Sequence, residues 1–193
     1  MSGATNIPAE RIRALAREPI AIVPYDERWP ALYAEEEARL ARALPPDLVT
    51  RIAHIGSTAV PGLSAKPIID IQAEVRSLDR VRRDVIPIME DLAYEFIWRP
   101  TMGEQAPFYA WFIKRNAAGE RIFHVHMVEP DQTSADRIRF RDHLRAHPDD
   151  RAAYEALKRE LAVRHPDDRA AYTMNKTHHI NRVLAKARWT TMP

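Results

Sequence analysis

Apolar and polar positions alternate along the middle of the chain and follow a helical period on either side of it. Ile20 to Val23 is a short apolar run closed by Pro24 and predicts a buried strand. Ala31 to Leu44 predicts a helix stopped by Pro45-Pro46, with Leu32, Tyr33, Leu40 and Leu44 on its apolar side and Glu35, Glu36 and Glu37 toward water. Thr50 to Ile55 predicts a second strand. Ile68 to Val75 alternates cleanly: Ile69, Ile71, Ala73 and Val75 point one way, and Ile68, Asp70, Gln72 and Glu74 the other. Leu78 to Leu92 predicts a helix bent or restarted near Pro87. Tyr109–Lys114 and Arg121–Val128 predict an antiparallel hairpin around Asn116 and Gly119. On its second strand His124 and His126 share a face with Ile122 and Val128, opposite Phe123, Val125 and Met127.

From Ser134, read as an N-cap, the pattern is helical. The octapeptide HPDDRAAY stands at His147–Tyr154 and again at His165–Tyr172. Two copies are too few for a solenoid. A proline followed by two aspartates suits the first turn of a helix, so they predict two helix starts, with the last helix ending near Arg188. Together these elements predict an α+β fold with a small, mixed, twisted sheet of about four or five strands flanked by helices. The division expected is a polar, loosely held N-terminal segment at 1–19, an α+β core at 20–130 and a helical C-terminal subdomain at 131–193.

The composition, 46% hydrophobic and 29% charged, fits a globular domain. A net charge of +2 with both signs interspersed makes no stripe for a nucleic-acid backbone, so nucleic acid is not an expected partner. With no cysteine, disulfides, thiolate metal sites and a cysteine nucleophile are excluded. No apolar run approaches the roughly 20 residues of a membrane span, and the first residues lack the apolar stretch of a signal peptide, so the cytoplasm is the expected location.

The candidate chemistry centres on HIGSTAVPGLSAKP, His54 to Pro67, which holds two of the five glycines. Gly56 lets backbone approach a phosphate, Ser57 and Thr58 offer donors to its oxygens, and Asp70 on the next strand can hold a hard cation such as Mg2+. His124 and His126, two residues apart on one strand, are spaced for one metal or a phosphate. Lys66, Arg141, Arg145 and Lys176 supply positive charge suited to a triphosphate. Trp111 reads as core or cleft wall, and loops such as Thr101–Pro107 as the source of specificity.

The stretch HIGSTAVPGLSAKPIIDI resembles the signature of the GrpB family, placed among the polymerase-β-like nucleotidyltransferases. VPYDERW, HVHMVE, FRDHLRAHP, Tyr154…Lys158 and Tyr172…Lys176 are similar to that family's pattern as well, so the resemblance runs from about Ile20 to Ala187. It implies metal-dependent transfer of a nucleotidyl group from a nucleoside triphosphate to a small-molecule acceptor. Gly56 and Ser57 would cradle phosphate and Asp70 would be the first metal carboxylate. The second carboxylate position holds Gln72, with Glu74 on the same face as a substitute and His124 or His126 completing the metal shell or, as His126, acting as base. Gln72 opens the alternative of a nucleotide-binding or scaffold module without turnover. The histidine pair opens a third, a metal-dependent hydrolase, although the third place of a histidine triad is Val128.

Overall fold

A computed structural model describes residues 9–99 and 109–190. Five strands form one mixed sheet in the order β1-β2-β5-β4-β3: β1 is Val49–Ile55, β2 Ile69–Val75, β3 Tyr94–Arg99, β4 Tyr109–Arg115 and β5 Arg121–Val128. Only the central β2–β5 pair is parallel. The strand expected at Ile20–Val23 is absent from the sheet; Val23 makes a single bridge to Ala65, too little to extend a ladder. Its place in the count is taken by β3, where Tyr94 and Phe96 turn into the core.

One sheet face is the main core. Rungs such as Ile71–Val125–Phe112–Phe96 pack against Trp29 and Leu40 of α2 (Trp29–Ala43) and against its C-cap Leu44. The same core takes Val81, Val85 and Met89 from the segment comprising α3 (Leu78–Arg80), a π-helical turn (Val81–Val85) and α4 (Ile86–Asp91). The widened turn precedes Pro87, which has no N–H to donate, so the expected bend lies there. Two expectations for α2 fail. Leu32 is exposed, and Glu36 is buried, accepting from the Tyr94 hydroxyl and the Lys114 ammonium at 2.9 Å each. Its burial is possible because both donors reach it.

The other face carries Asp70–His124–Ile113 and Gln72–His126–Trp111 as adjacent rungs. Helix α1 (Ala9–Ala16) covers one end of it, placing Leu15 against Ile97 and Ile113. Arg11 pairs with Glu95, and Glu18 with Arg115 and Arg121, so this part of the segment expected to be loose is tied down; residues 1–8 lie outside the described residues. The rest is covered by α5 (Gln132–Ala146), α6 (Pro148–Arg164), α7 (Arg169–Met174) and α8 (Thr177–Thr190), joined to the Gly56 loop by a cluster of Val60, Leu63, Leu144, Tyr154 and Val183. Helix α5 starts before Ser134: Asp131 is the N-cap and Ser134 closes the capping box as its N3 residue. The first HPDDRAAY opens α6 with Pro148 in its first turn, whereas in the second copy Asp168 is the cap and α7 begins at Arg169. Among the described residues no helix is long and apolar enough to cross a membrane.

Candidate functional site

The cleft forms where the C-terminal helices meet the polar face of the sheet. Parallel register sets Asp70 beside His124 and Gln72 beside His126. The Asp70 carboxylate lies 3.0 Å from His124 Nδ1 and 3.6 Å from His126 Nε2, and the three side chains each offer a donor atom within 4.8 Å of the others. Zinc-like bond lengths in a tetrahedral or octahedral shell require donors about 3.0–3.4 Å apart, so the cluster closes around one ion with little movement. The Asp70 side chain is 29% exposed, which leaves it open to a ligand.

Gly56 has φ +71° and ψ −173°, a combination essentially restricted to glycine, and a Cβ there would lie 2.6 Å from Asp70 Oδ2. The turn is therefore pressed against the carboxylate, and only glycine permits it. Ser57 shares a hydrogen bond with Tyr154 of α6. The Thr58 hydroxyl, by contrast, is buried between His54 Nε2 (3.0 Å) and the Ile68 carbonyl (3.3 Å), and holds the loop in place.

Burial drives the His126 imidazole down to about 4 and lowers His124, so both rings are neutral at pH 7. Burial would raise Asp70, but hydrogen bonds from the two rings prevail and keep it well below the ordinary carboxylate range. Neutral imidazoles beside an ionised carboxylate suit a divalent cation once each ring moves its proton from the nitrogen facing Asp70 to the other nitrogen. His124 Nε2 and His126 Nδ1 are buried with no partner among the described residues. Trp111 walls the pair, parallel to His126 and edge-on to His124.

Lys66 and Lys176 lie within electrostatic reach of Asp70, and Lys158 lies within reach of Lys176. Lys66 and Lys176 flank the Tyr172 ring, 5.5 and 4.3 Å from its centroid, and Lys158 lies 5.1 Å from that of Tyr154 while donating to the Ser64 carbonyl. Burial, with Lys176 as a like charge, lowers Lys66 and Lys158 to about 7; burial lowers Lys176 to about 8 although Asp70 opposes it. The charge that opposes this lowering comes from Asp70 at Lys66 and Lys176 and from Glu155 at Lys158.

The GrpB protein family model matches residues 19–186. The chain belongs to the GrpB family. It is 42% identical over 170 residues to a UPF0157 protein of Pseudomonas aeruginosa, covering 87% of this chain and 67% of that protein. A dephospho-CoA kinase of Mycolicibacterium paratuberculosis is 30% identical over 167 residues, which are 76% of this chain and 40% of that protein. The crystal structure of conserved protein GrpB from Enterococcus faecalis superposes with a TM-score of 0.73 at 29% identity, covering 86% of this chain and 96% of that one. The mixed sheet with its helices is thus the fold of a GrpB protein.

Within this GrpB chain the structure joins Gly56, Ser57, Lys66, Asp70, His124, His126 and Lys176 in one neighbourhood. Gln72 and Glu74 remain outside the donor cluster. The Gln72 amide donates to the Ser134 carbonyl and to Glu74 and accepts from Arg137, while Glu74 lies 3.8 Å from Arg51. Arg141 donates to the His54 carbonyl at 2.7 Å and Arg145 to that of Ala59 at 2.8 Å, so both brace the loop. The loop Thr101–Pro107 lies outside the described residues. Lys158 was not among the charges expected at the site. Its signal was the second octapeptide: extended by four residues, both copies read Tyr-x-x-x-Lys, and Lys176 is the equivalent of Lys158.

Proposed function

We propose that the cleft is a single-metal centre acting on a phosphate-bearing substrate, with transfer of a nucleotidyl group from a nucleoside triphosphate to a small acceptor as its reaction. The observation that carries this reading is the Asp70–His124–His126 cluster abutting the Gly56 turn beside Lys66, Lys158 and Lys176. When bound there, a divalent ion supplies Lewis acidity to a phosphoryl oxygen. Two imidazoles and one carboxylate suit Mn2+, Fe2+ or Zn2+ better than the Mg2+ that an all-oxygen site would take. Lys158 and Lys176, in their charged forms, hold the phosphate oxygens and neutralise charge as it builds on the leaving group, which is most of what such chemistry asks of a protein. An imidazole at about 4 is a weak proton acceptor, so His126 serves as ligand, and Lys66, at about 7, takes the acceptor's proton. The name of the mycobacterial relative, a kinase, is in keeping with phosphate chemistry.

Binding without turnover is the second reading, favoured by Gln72, which is fully buried and hydrogen-bonded where the resemblance calls for a second carboxylate. Calorimetric titration with ATP and Mn2+ tests both. Wild type is expected to bind, and Asp70→Asn to lose about tenfold or more of the metal-dependent affinity. Absent binding, or binding indifferent to Asp70→Asn, overturns the metal centre. Pyrophosphate release with a pool of small acceptors separates transferase from binding module.

A further inference from the structure

The Gly56 turn is held from a second side, and that side has a cavity of its own. Between α2, the edge strand β1 and α5 lies a groove of about 370 Å³ walled by Tyr25, Tyr33, Arg51, His54, Arg141 and Arg145, with Ala59 and Pro61 of the loop at its border. The volume is that of a small-molecule site. Its walls carry three guanidinium groups and no carboxylate. Two of those groups are already aimed. Arg141 is fixed by its bonds to the His54 carbonyl and Asp142, and Arg145 by its bond to the Ala59 carbonyl; Nη2 of each has no partner among the described residues. Burial and the neighbouring Arg141 lower the Arg145 guanidinium. Asp142 is the counter-ion of both Arg141 and Arg145, and Glu74, 3.8 Å away, that of Arg51; neither lines the groove, and two carboxylates for three guanidinium groups leave its wall net positive.

The groove is wired to the turn at three points. The carbonyls of His54 and Ala59, gripped by Arg141 and Arg145, bracket Gly56, Ser57 and Thr58 in sequence. The third link runs through side chains: Tyr33 stacks on the His54 ring at 4.6 Å, and that ring bonds the Thr58 hydroxyl. An anion drawing the guanidinium groups toward itself changes how tightly they hold the two carbonyls, and so the position of the turn against Asp70.

We propose that this groove binds a small molecule bearing a phosphate or another doubly charged oxyanion, and that its occupancy is transmitted to the Gly56 turn. Planar guanidinium forks grip such a group through paired hydrogen bonds, and Tyr25 and Tyr33 flank the space for its organic part. The site is distinct from the Asp70 cleft and does not depend on what that cleft does.

Inorganic pyrophosphate, titrated calorimetrically without divalent metal, is the probe. The wild-type protein is expected to show two classes of site. Arg145→Gln and, separately, Arg51→Gln should each weaken one class by about tenfold, and Lys176→Gln only the other. Arg51 grips no loop carbonyl, so its variant guards against a loss caused by a disturbed turn. A single class that responds to Lys176→Gln and ignores both arginine variants overturns the groove and leaves the cleft standing. A single class that responds only to the arginine variants supports the groove and removes the cleft's anion site. The coupling has its own readout: Mn2+ affinity at the cleft, measured in the Lys176→Gln background with and without sulfate, a doubly charged oxyanion that does not sequester the metal, should change by about threefold or more, and should stop changing when Arg51→Gln is added. Equal affinities overturn the coupling.

Discussion

Two stretches of identical sequence fold differently here and still deliver the same pair of side chains. At His147–Tyr154 the octapeptide starts a helix at its proline, and Asp150 is drawn sideways to His143 at 2.8 Å and to Lys186 of α8. At His165–Tyr172 the proline stays in a turn, its carbonyl accepting from Ile20 N at 2.9 Å, and Asp168 caps a six-residue helix through Ala171 N. Eight residues therefore do not decide where the helix begins; what each copy meets in the fold does. The output is nevertheless shared. Tyr154 with Lys158 and Tyr172 with Lys176 converge on the cleft, the first pair holding the Gly56 loop through Ser57 and Ser64, the second facing Lys66.

If both copies serve an anion, removing either lysine should cost binding. Lys158→Met and Lys176→Met are each expected to weaken ATP or pyrophosphate by about 10- to 100-fold, the worth of a hydrogen bond to a charged group. A loss confined to one variant would make the other copy a scaffold only. The two lysines also set a pH signature. Folded, they hold their protons only up to about 7 and 8, whereas in the unfolded chain they do so up to their ordinary 10.5. Between those limits the unfolded chain binds more protons, so the unliganded fold gains stability as pH rises from about 7 toward 10. Anion affinity runs the other way and declines as pH passes through 7 and 8. Urea unfolding and calorimetry at a series of pH values check both slopes, and both should flatten in the double variant.

The part of this site that can be read without coordinates is the part written on strands. Strict alternation in IIDIQAEV places Asp70 on a polar face, and His124 with His126 on another, because a half-buried strand imposes a period of two. Asn116 and Gly119 mark the hairpin because the turn needs them: Asn116 Oδ1 accepts from Ala118 N and Glu120 N, and Gly119 has φ +81°. What alternation cannot report is which polar residue finds a buried partner. Glu36 reads as solvated until Tyr94 and Lys114 close over it, and Gln72 reads as a metal ligand until Ser134 takes its amide. The sequence does not announce strand β3, because the preceding segment ends at Ala93, a non-glycine residue at φ +64°, and no glycine marks the boundary. The repeat suggested paired helix starts, which is half of its meaning; the Tyr–Lys spacing beyond it carries the chemistry.

A smaller effect sharpens the contrast between the copies at their arginines. Arg169 donates to the carbonyls of Glu18 (2.9 Å) and Pro19 (3.0 Å), tying the second copy to the N-terminal segment, and its side chain is 15% exposed. Arg151, at the same place in the first copy, makes no side-chain hydrogen bond or ion pair among the described residues. Arg169→Ala should cost about 1 kcal/mol of stability, since the part-buried Glu18 carbonyl and the exposed Pro19 carbonyl lose their donor, and Arg151→Ala less than about 0.5 kcal/mol. Urea midpoints compare them directly. Equal losses would mean that the link to the N-terminal segment contributes nothing.

The smallest effects come from the aspartates, and their pattern matters more than their size. Asp168 works as an acceptor for Ala171 N, a task an amide oxygen also performs, so Asp168→Asn should change stability by less than about 0.5 kcal/mol while Asp168→Ala loses about 1 kcal/mol. Asp150 works as a charge: hydrogen bonds from His143 and Lys186 hold its carboxyl below the ordinary range. Its contribution is therefore present above the usual carboxylate titration and fades as pH falls through its depressed folded value. Asp150→Asn should accordingly cost about 1 kcal/mol at neutral pH, less in high salt and nothing once the carboxyl is protonated in the folded protein. Thermal melts of the two Asn variants at pH 7, with and without added salt, give the result. If Asp168→Asn proves the costlier and salt-sensitive change, the two copies have been assigned each other's roles.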